Sequence, residues 1–277
     1  MTRKATETME KTAERIRRRC LDLALAAGSA GAHLGAALSI AEILAVLYGG
    51  VLRYDPKRPQ WPERDRFILS KGHAGLGLYA ALAEAGLISE EELATFQKPG
   101  SDFTTHPTMN RPHGIEFSTG SLGMGLGLGV GLALALKKKN LPTRVFVLLG
   151  DGECDEGSVW EAMTAAAHFK LDHLTAIIDR NRLQQSGPVS EQMETGDLRR
   201  KGEAFGWDAV DVDGHNVAAL VEAFCKEPIL GLPRLVVAQT VKGKGFAFCE
   251  NNPAWHHGVL TQAQYDAALN EGKGTVS

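Results

Sequence analysis

VLLGDGECDEGSVWEAM, residues 147–163, ends an apolar run in Gly-Asp-Gly. It then crowds Asp151, Glu153, Asp155 and Glu156 into six positions, with Glu161 following. Four readings compete: a phosphate cradle, a calcium loop, a metal-bound cofactor site, or a solvated turn. An EF-hand takes acidic residues at positions 1, 3 and 5, which Asp151, Glu153 and Asp155 imitate, but it needs Gly at 6 and Glu at 12. Glu156 and Ala162 stand there, which rejects it. A dinucleotide fingerprint needs G-x-G-x-x-G. Here the third glycine, Gly157, comes two places late. A solvated acidic helix start, favoured by the helix dipole, explains the stretch if it stands alone.

It does not stand alone. RVFVLLG (144–150) runs into Asp151, and LTAIID (174–179) runs into Asn181 of DRNRLQ. Asn181 follows Asp151 by 30 residues, the length of one strand-helix-strand unit. The two side chains therefore meet outside the carboxyl ends of neighbouring strands, where open α/β sheets bind ligands. A carboxylate, an amide oxygen and a backbone carbonyl near Leu183 are hard donors. They make a partial shell for Mg²⁺ or Ca²⁺ that a diphosphate completes. Gly152 lets the backbone approach a phosphate, and its N–H just before a helix N-terminus favours an anion.

The rest of the chain supports an α/β fold. RVFVLLG, LTAIID, DAVDVDG (208–214) and RLVVAQTV (234–241) are short apolar segments, and DRFILS (65–70) is a further strand. Helical stretches at 157–169 and 216–227 separate them in pairs. Strands alternating with helices predict a mostly parallel sheet with helices on both faces. Ahead of them, residues 8–27 read as an amphipathic helix ending at Gly28. LSIAEILAVLY (38–48) reads as another, with Ser39 as N-cap. A helix follows DRFILS, a capping box joins Ser89 and Glu92, and 97–119 is a long ordered loop. A glycine-rich helix covers 120–138, and a short helix starts near 261.

Bulk properties exclude several classes. The 277 residues suffice for one large α/β domain, and a net charge of -3 gives no case for a nucleic-acid partner. The basic run of Arg15, Arg17, Arg18 and Arg19 reads as a solvated helix face. Cys20, Cys154, Cys225 and Cys249 form no CxxC pair, which fits a reducing cytoplasm. The N-terminus has no signal-peptide pattern, and GMGLGLGVGLALAL (123–136) is too short to span a bilayer.

GDGECDEGSVWEAMTAAAHFKLDHLTAIIDRNRLQQSG resembles the thiamine-diphosphate signature of transketolases, GDG followed about 30 residues later by N. HLGAALSIAEILAVLY, DRFILSKGHA, IEFSTGSLGMGLGLGVGLALA, VDGHN and TVKGKGFAFCENNPAWHHG continue the likeness in order. The resemblance implies a thiamine-diphosphate-binding fold, with Asp151, Asn181 and the Leu183 carbonyl as Mg²⁺ ligands, Ca²⁺ being a substitute. It implies Gly152 as a diphosphate contact and His73 beside diphosphate and substrate. His33, His106 and a histidine of WHHG line the substrate channel; His257 is preferred to His256 because it directly precedes glycine. Gly120 and Leu122 flank the cofactor rings. Glu156 and Glu161 link paired active sites across a subunit interface. Glu153 and Asp155 carry no implied chemistry and read as solvated helix-start residues. His113, His168, His173 and His215 carry no implied role either. Met124 stands where glutamine is expected in GSLGQG, and His113 is unusual in MNRPHGIE.

The likeness is to the first, diphosphate-binding domain of that family. It implies one domain over 1–277, without pyrimidine-binding and C-terminal domains. The implied protein is the N-terminal subunit of a split, cytoplasmic transketolase. A partner subunit carries the pyrimidine-binding domain and its activating glutamate, in an α2β2 assembly. The implied reaction moves a two-carbon ketol unit from a ketose or its phosphate to an aldose or its phosphate. The alternatives are the α subunit of a 2-oxoacid dehydrogenase and a non-catalytic cofactor-binding relative. The histidine set and GSLG favour the first reading, and the intact Asp151–Asn181 pair speaks against the last.

Overall fold

In the computed structural model, residues 2–271 are described. The elements run α1 (Arg3–Ala26), α2 (Leu34–Leu38), α3 (Ala41–Val46), β1 (Arg66–Leu69), α4 (Gly75–Glu84), α5 (Glu90–Leu93), α6 (Met124–Lys138) and β2 (Val145–Gly150). They continue through α7 (Gly157–His168), β3 (Leu174–Arg180), α8 (Val189–Gln192), α9 (Leu198–Ala204), β4 (Asp208–Asp213), α10 (Val217–Cys225), β5 (Arg234–Gln239) and α11 (Gln262–Glu271).

All pairings in the five-stranded sheet are parallel, in the order β1-β2-β3-β5-β4. Successive strand residues point to opposite faces. Phe146, Leu148, Ile177 and Val236 enter one core, and Val145, Val147, Ile178 and Val237 the other. This is why the central strands read as continuous apolar runs rather than alternating ones. Connections from β1 through β4 advance in one direction, so right-handed crossovers put α6, α7 and α9 on one face. The step from β4 back to β5 reverses direction. It places α10 on the opposite face with α1, α3 and α4.

The boundaries expected from sequence shift in places. The first helix begins earlier, at Arg3, where the Thr2 side chain accepts from the Ala5 N–H. The expected helix over 38–48 is broken, and Ser39 is not an N-cap. It is fully buried between α2 and α3, with its hydroxyl donating to Asp179 Oδ2 (2.7 Å) and lying 3.1 Å from Ala36 O. The glycine-rich helix starts at Met124 because Gly120 (φ +145°) and Gly123 (φ +82°) hold the preceding loop in conformations closed to helix. Helices α8 and α9 have no counterpart among the elements expected from sequence. The Ser89–Glu92 capping box forms as expected.

The basic run is not simply solvated. Arg15 and Arg19 clamp Glu84 of α4, and Arg19 also reaches Glu90 of α5. Arg17 pairs with Glu42 of α3 and Arg18 with Asp22. Arg15, Arg17 and Arg19 join α1 to its neighbours, while Arg18, half-exposed, forms its ion pair within α1 itself. Among the described residues, no helix is long and apolar enough to cross a membrane.

Candidate cofactor site

Gly150 and Asp179 are register partners on β2 and β3, so Asp151 and Asn181 leave adjacent strand ends together. Both lie against a cavity of about 430 Å³, within the range of small-molecule sites. Arg182, in the left-handed region at φ +64°, turns the chain so that Leu183 also lines this cavity. Asp151 is buried, with Oδ1 accepting from Gly152 N–H (2.9 Å) and Oδ2 from Arg182 N–H (2.5 Å). Burial, then the neighbouring Asp179 charge, raises its pKa to about 6. Asn181 Oδ1 accepts from Leu183 N–H (3.0 Å), and its amide donates to Asp179 Oδ2 (2.8 Å).

Each of these oxygens keeps a second lone pair. One carboxylate, one amide oxygen and one carbonyl fit a hard divalent cation that takes its remaining ligands from phosphate and water. Among the described residues, no group of three or more His, Cys, Asp or Glu forms a metal site of its own. The expected helix N-terminus at Gly152 is displaced, since α7 begins only at Gly157. Gly152 opens a short 3-10 turn instead, with its N–H on Asp151.

Positive charge enters from two lysines that no motif in the sequence singles out. Lys71 follows β1 and is 1% exposed. Its Nζ donates to Asp179 Oδ2 (2.5 Å) and Ala36 O (3.3 Å). Lys242 follows β5 and is equally buried, with Nζ donating to Leu183 O (3.0 Å), Gln184 O (3.3 Å) and His256 Nδ1 (3.1 Å). None of those three acceptors is a carboxylate. Burial, then the Lys71 charge, lowers the Lys242 pKa to about 8. Among the described residues no carboxylate is hydrogen-bonded to this ammonium, which suits it to an anionic ligand.

Five imidazoles gather on one side. The His33 ring centre lies 5.5 Å from that of His73, 5.8 Å from His106, 5.3 Å from His256 and 4.7 Å from His257. His33, His73, His106 and His256 line the cavity with Gly120 and Leu122. His257, preferred from its place before glycine, is exposed with its ring centre 4.7 Å from that of His33, while His256 is the one of the pair that lines the cavity. Burial, then neighbouring positive charge, pushes the His33 pKa down to about 3 and that of His256 to about 4. Burial and Lys71 likewise hold His73 well below an ordinary imidazole. Among the described residues, buried His33 Nδ1 has no hydrogen-bond partner.

The acidic crowd divides. Glu153, expected to be a solvated helix-start residue, is 2% exposed. Its carboxylate accepts from Ser70 Oγ, Gly123 N–H (2.9 Å) and Gly150 N–H (3.0 Å), tying three loops of the site together. Asp155 is half-buried rather than solvated, accepting from Gln184 Nε2 (2.8 Å). Glu156 and Glu161 are exposed and lie outside the cavity. Met124 and His113 are also outside it. Met124 is exposed, and His113 pairs with Glu92 Oε1 at 2.9 Å.

The class this defines is an α/β protein whose anion-ready, cation-ready cavity sits at paired strand ends. The family model described as "Transketolase, thiamine diphosphate binding domain" matches residues 8–271, and the chain belongs to that family. A 6-deoxy-6-sulfo-D-fructose transketolase subunit of Clostridium sp. (strain MSTE9) is 43% identical over 240 residues, 86% of this chain and 87% of the relative. An apulose-4-phosphate transketolase subunit of Actinobacillus succinogenes is 43% identical over 267 residues, 96% of both chains. The solved structure of transketolase from Leishmania mexicana superposes with a TM-score of 0.87 at 28% identity. It covers 95% of this chain, which spans 41% of that longer one.

Proposed function

We propose that the chain is the diphosphate-binding, N-terminal subunit of a two-chain, Mg²⁺- and thiamine-diphosphate-dependent transketolase. The observation that carries this reading is the joining of Asp151, Asn181 and the Leu183 carbonyl to two buried ammonium groups around one cavity. Its match along nearly the full length of the Actinobacillus succinogenes relative, itself named as one subunit of a transketolase, supports the two-chain form. The partner would bring the pyrimidine-binding domain and its activating glutamate, in an α2β2 assembly in the cytoplasm.

When bound, the cofactor supplies the carbon nucleophile that ketol transfer requires. The chain's own residues bind and orient. Asp151, Asn181 and the Leu183 carbonyl would hold the metal. Lys71, Lys242 and the Gly152 backbone would face the diphosphate, and Gly120 and Leu122 the rings. His33, His73 and His256, kept where added positive charge is costly, would present neutral imidazoles to sugar hydroxyls and shuttle their protons, with His106 lining the same wall. Glu156 and Glu161, exposed at the start of α7, would meet the second copy of the site.

The test is Asp151→Ala in the assembled enzyme, followed by calorimetry with Mg²⁺ and thiamine diphosphate. Loss of metal-dependent binding is expected; unchanged affinity would defeat the metal assignment.

A further inference from the structure

His215 lies outside the cavity and has no part in the chemistry above, yet it sits in a buried chain of polar contacts that leads to Lys242. Arg17 Nη2 of α1 donates to both Glu42 oxygens of α3 (2.5 and 2.6 Å). Glu42 Oε2 lies 2.9 Å from His215 Nδ1, and Val241 N–H donates to His215 Nε2 at 2.9 Å. A backbone N–H can only donate, so Nε2 is the acceptor and the ring proton is on Nδ1, facing Glu42. The Arg17, Glu42 and His215 side chains are 12%, 10% and 15% exposed.

The network grips the backbone on both sides of Lys242. Val241 is held by His215. Gly243 N–H donates to Gly35 O (3.0 Å), and Lys244 O accepts from Arg17 Nε (3.0 Å). Lys242 has four side-chain carbons between a fixed backbone and its ammonium. Among the described residues no carboxylate is hydrogen-bonded to Nζ; its bonds go to Leu183 O, Gln184 O and His256 Nδ1, so backbone placement at one end and these neutral acceptors at the other set where the charge lies. We infer that His215, bridging Glu42 and Val241, is a positioning residue that sets the Lys242 ammonium for the anionic end of the cofactor. This rests on reading Lys242 as a diphosphate-facing group.

The experiment is a double-mutant cycle on the chain assembled with its co-expressed partner, reading thiamine diphosphate Kd at saturating Mg²⁺ and kcat at saturating cofactor. His215→Ala should raise Kd about tenfold, a coupling ordinary for residues in one network, while kcat stays within about twofold. His215→Gln, which keeps one acceptor and one donor, should restore most of the affinity. In a Lys242→Ala background, His215→Ala should add nothing. If His215→Ala does not assemble, His215→Gln and Glu42→Gln complete the cycle. Glu42→Gln should then weaken binding, and only when Lys242 is present. Full additivity, or unchanged Kd in His215→Ala beside a weakened Lys242→Ala, overturns the positioning role alone. Unchanged Kd in Lys242→Ala overturns the reading beneath it as well.

Discussion

Lys71 and Asp179 form an ion pair of 2.5 Å with side-chain exposures of 1% and 0%, joining the end of β1 to β3 beneath the cavity. Asp179 also accepts from Ser39, Thr240 and Asn181. Burial alone would raise its pKa, but Lys71 and these donors outweigh that and hold it below the ordinary carboxylate value. A buried carboxylate this well satisfied is stable only with all its partners. Removing one side of such a pair costs about 3–5 kcal/mol because the other charge stays buried. Asp179→Ala and Lys71→Met should each lose that much in urea unfolding, and the double variant less than their sum. Strict additivity would show that the two groups are not coupled.

Glu153 offers a second test. Glu153→Ala strands the buried Ser70 hydroxyl and Gly123 N–H, each costing about 1–3 kcal/mol, and the half-buried Gly150 N–H. Destabilisation of about 3 kcal/mol or more is expected from chemical denaturation. A change below about 0.5 kcal/mol, usual for surface sites, would return Glu153 to a solvated role.

Much of this site is legible in the sequence. Asp151 and Asn181 announce themselves because strand ends and a 30-residue interval need only local pattern. Gly120 and Leu122 also fall on the cavity wall. Glu153 is not legible, since an acidic residue after GDG looks the same whether it faces water or folds back on Gly150. Ser39 misleads for a related reason: serine before an apolar run signals a cap, unless a distant carboxylate claims its hydroxyl. Lys71 and Lys242 stand 171 positions apart, and only the parallel sheet brings their two strand ends to one cavity. The choice of His256 over His257 depends on which ring the turn at Pro253–His256 swings inward.

The histidine cluster sets an acid limit. In the unfolded chain these imidazoles take protons near pH 6.5, whereas the fold holds His33 at about 3, His256 at about 4 and His73 well below its usual value. Above pH 6.5 both states are neutral and nothing is gained or lost. As pH falls below it, the unfolded chain binds more protons and stability drops. Asp151, raised to about 6, and Glu153, also raised by burial, work the other way, but they are two groups against three. The melting temperature should therefore fall from pH 7 to about pH 5. The double variant His33→Asn, His256→Asn should show a shallower fall, and an equal slope would mean that these rings do not titrate as described.

Gly72 tests the closeness of the loops. A Cβ there would sit 2.7 Å from Gly120 N and from the Thr119 carbonyl carbon, both backbone atoms that cannot rotate away. Gly72→Ala should displace the 119–122 segment and weaken thiamine diphosphate binding by about tenfold or more, 1.4 kcal/mol per decade. Wild-type affinity in a folded variant would show that this segment does not bear on the cofactor.

The central claim is that this chain holds the diphosphate end of the cofactor and depends on a second chain for turnover. The most direct measurement is ketol transfer from a ketose donor to an aldose acceptor with Mg²⁺ and thiamine diphosphate, by the purified chain alone and with its co-expressed partner. The account predicts turnover only with the partner, and its loss on Asp151→Ala. Full turnover by the chain alone would contradict it.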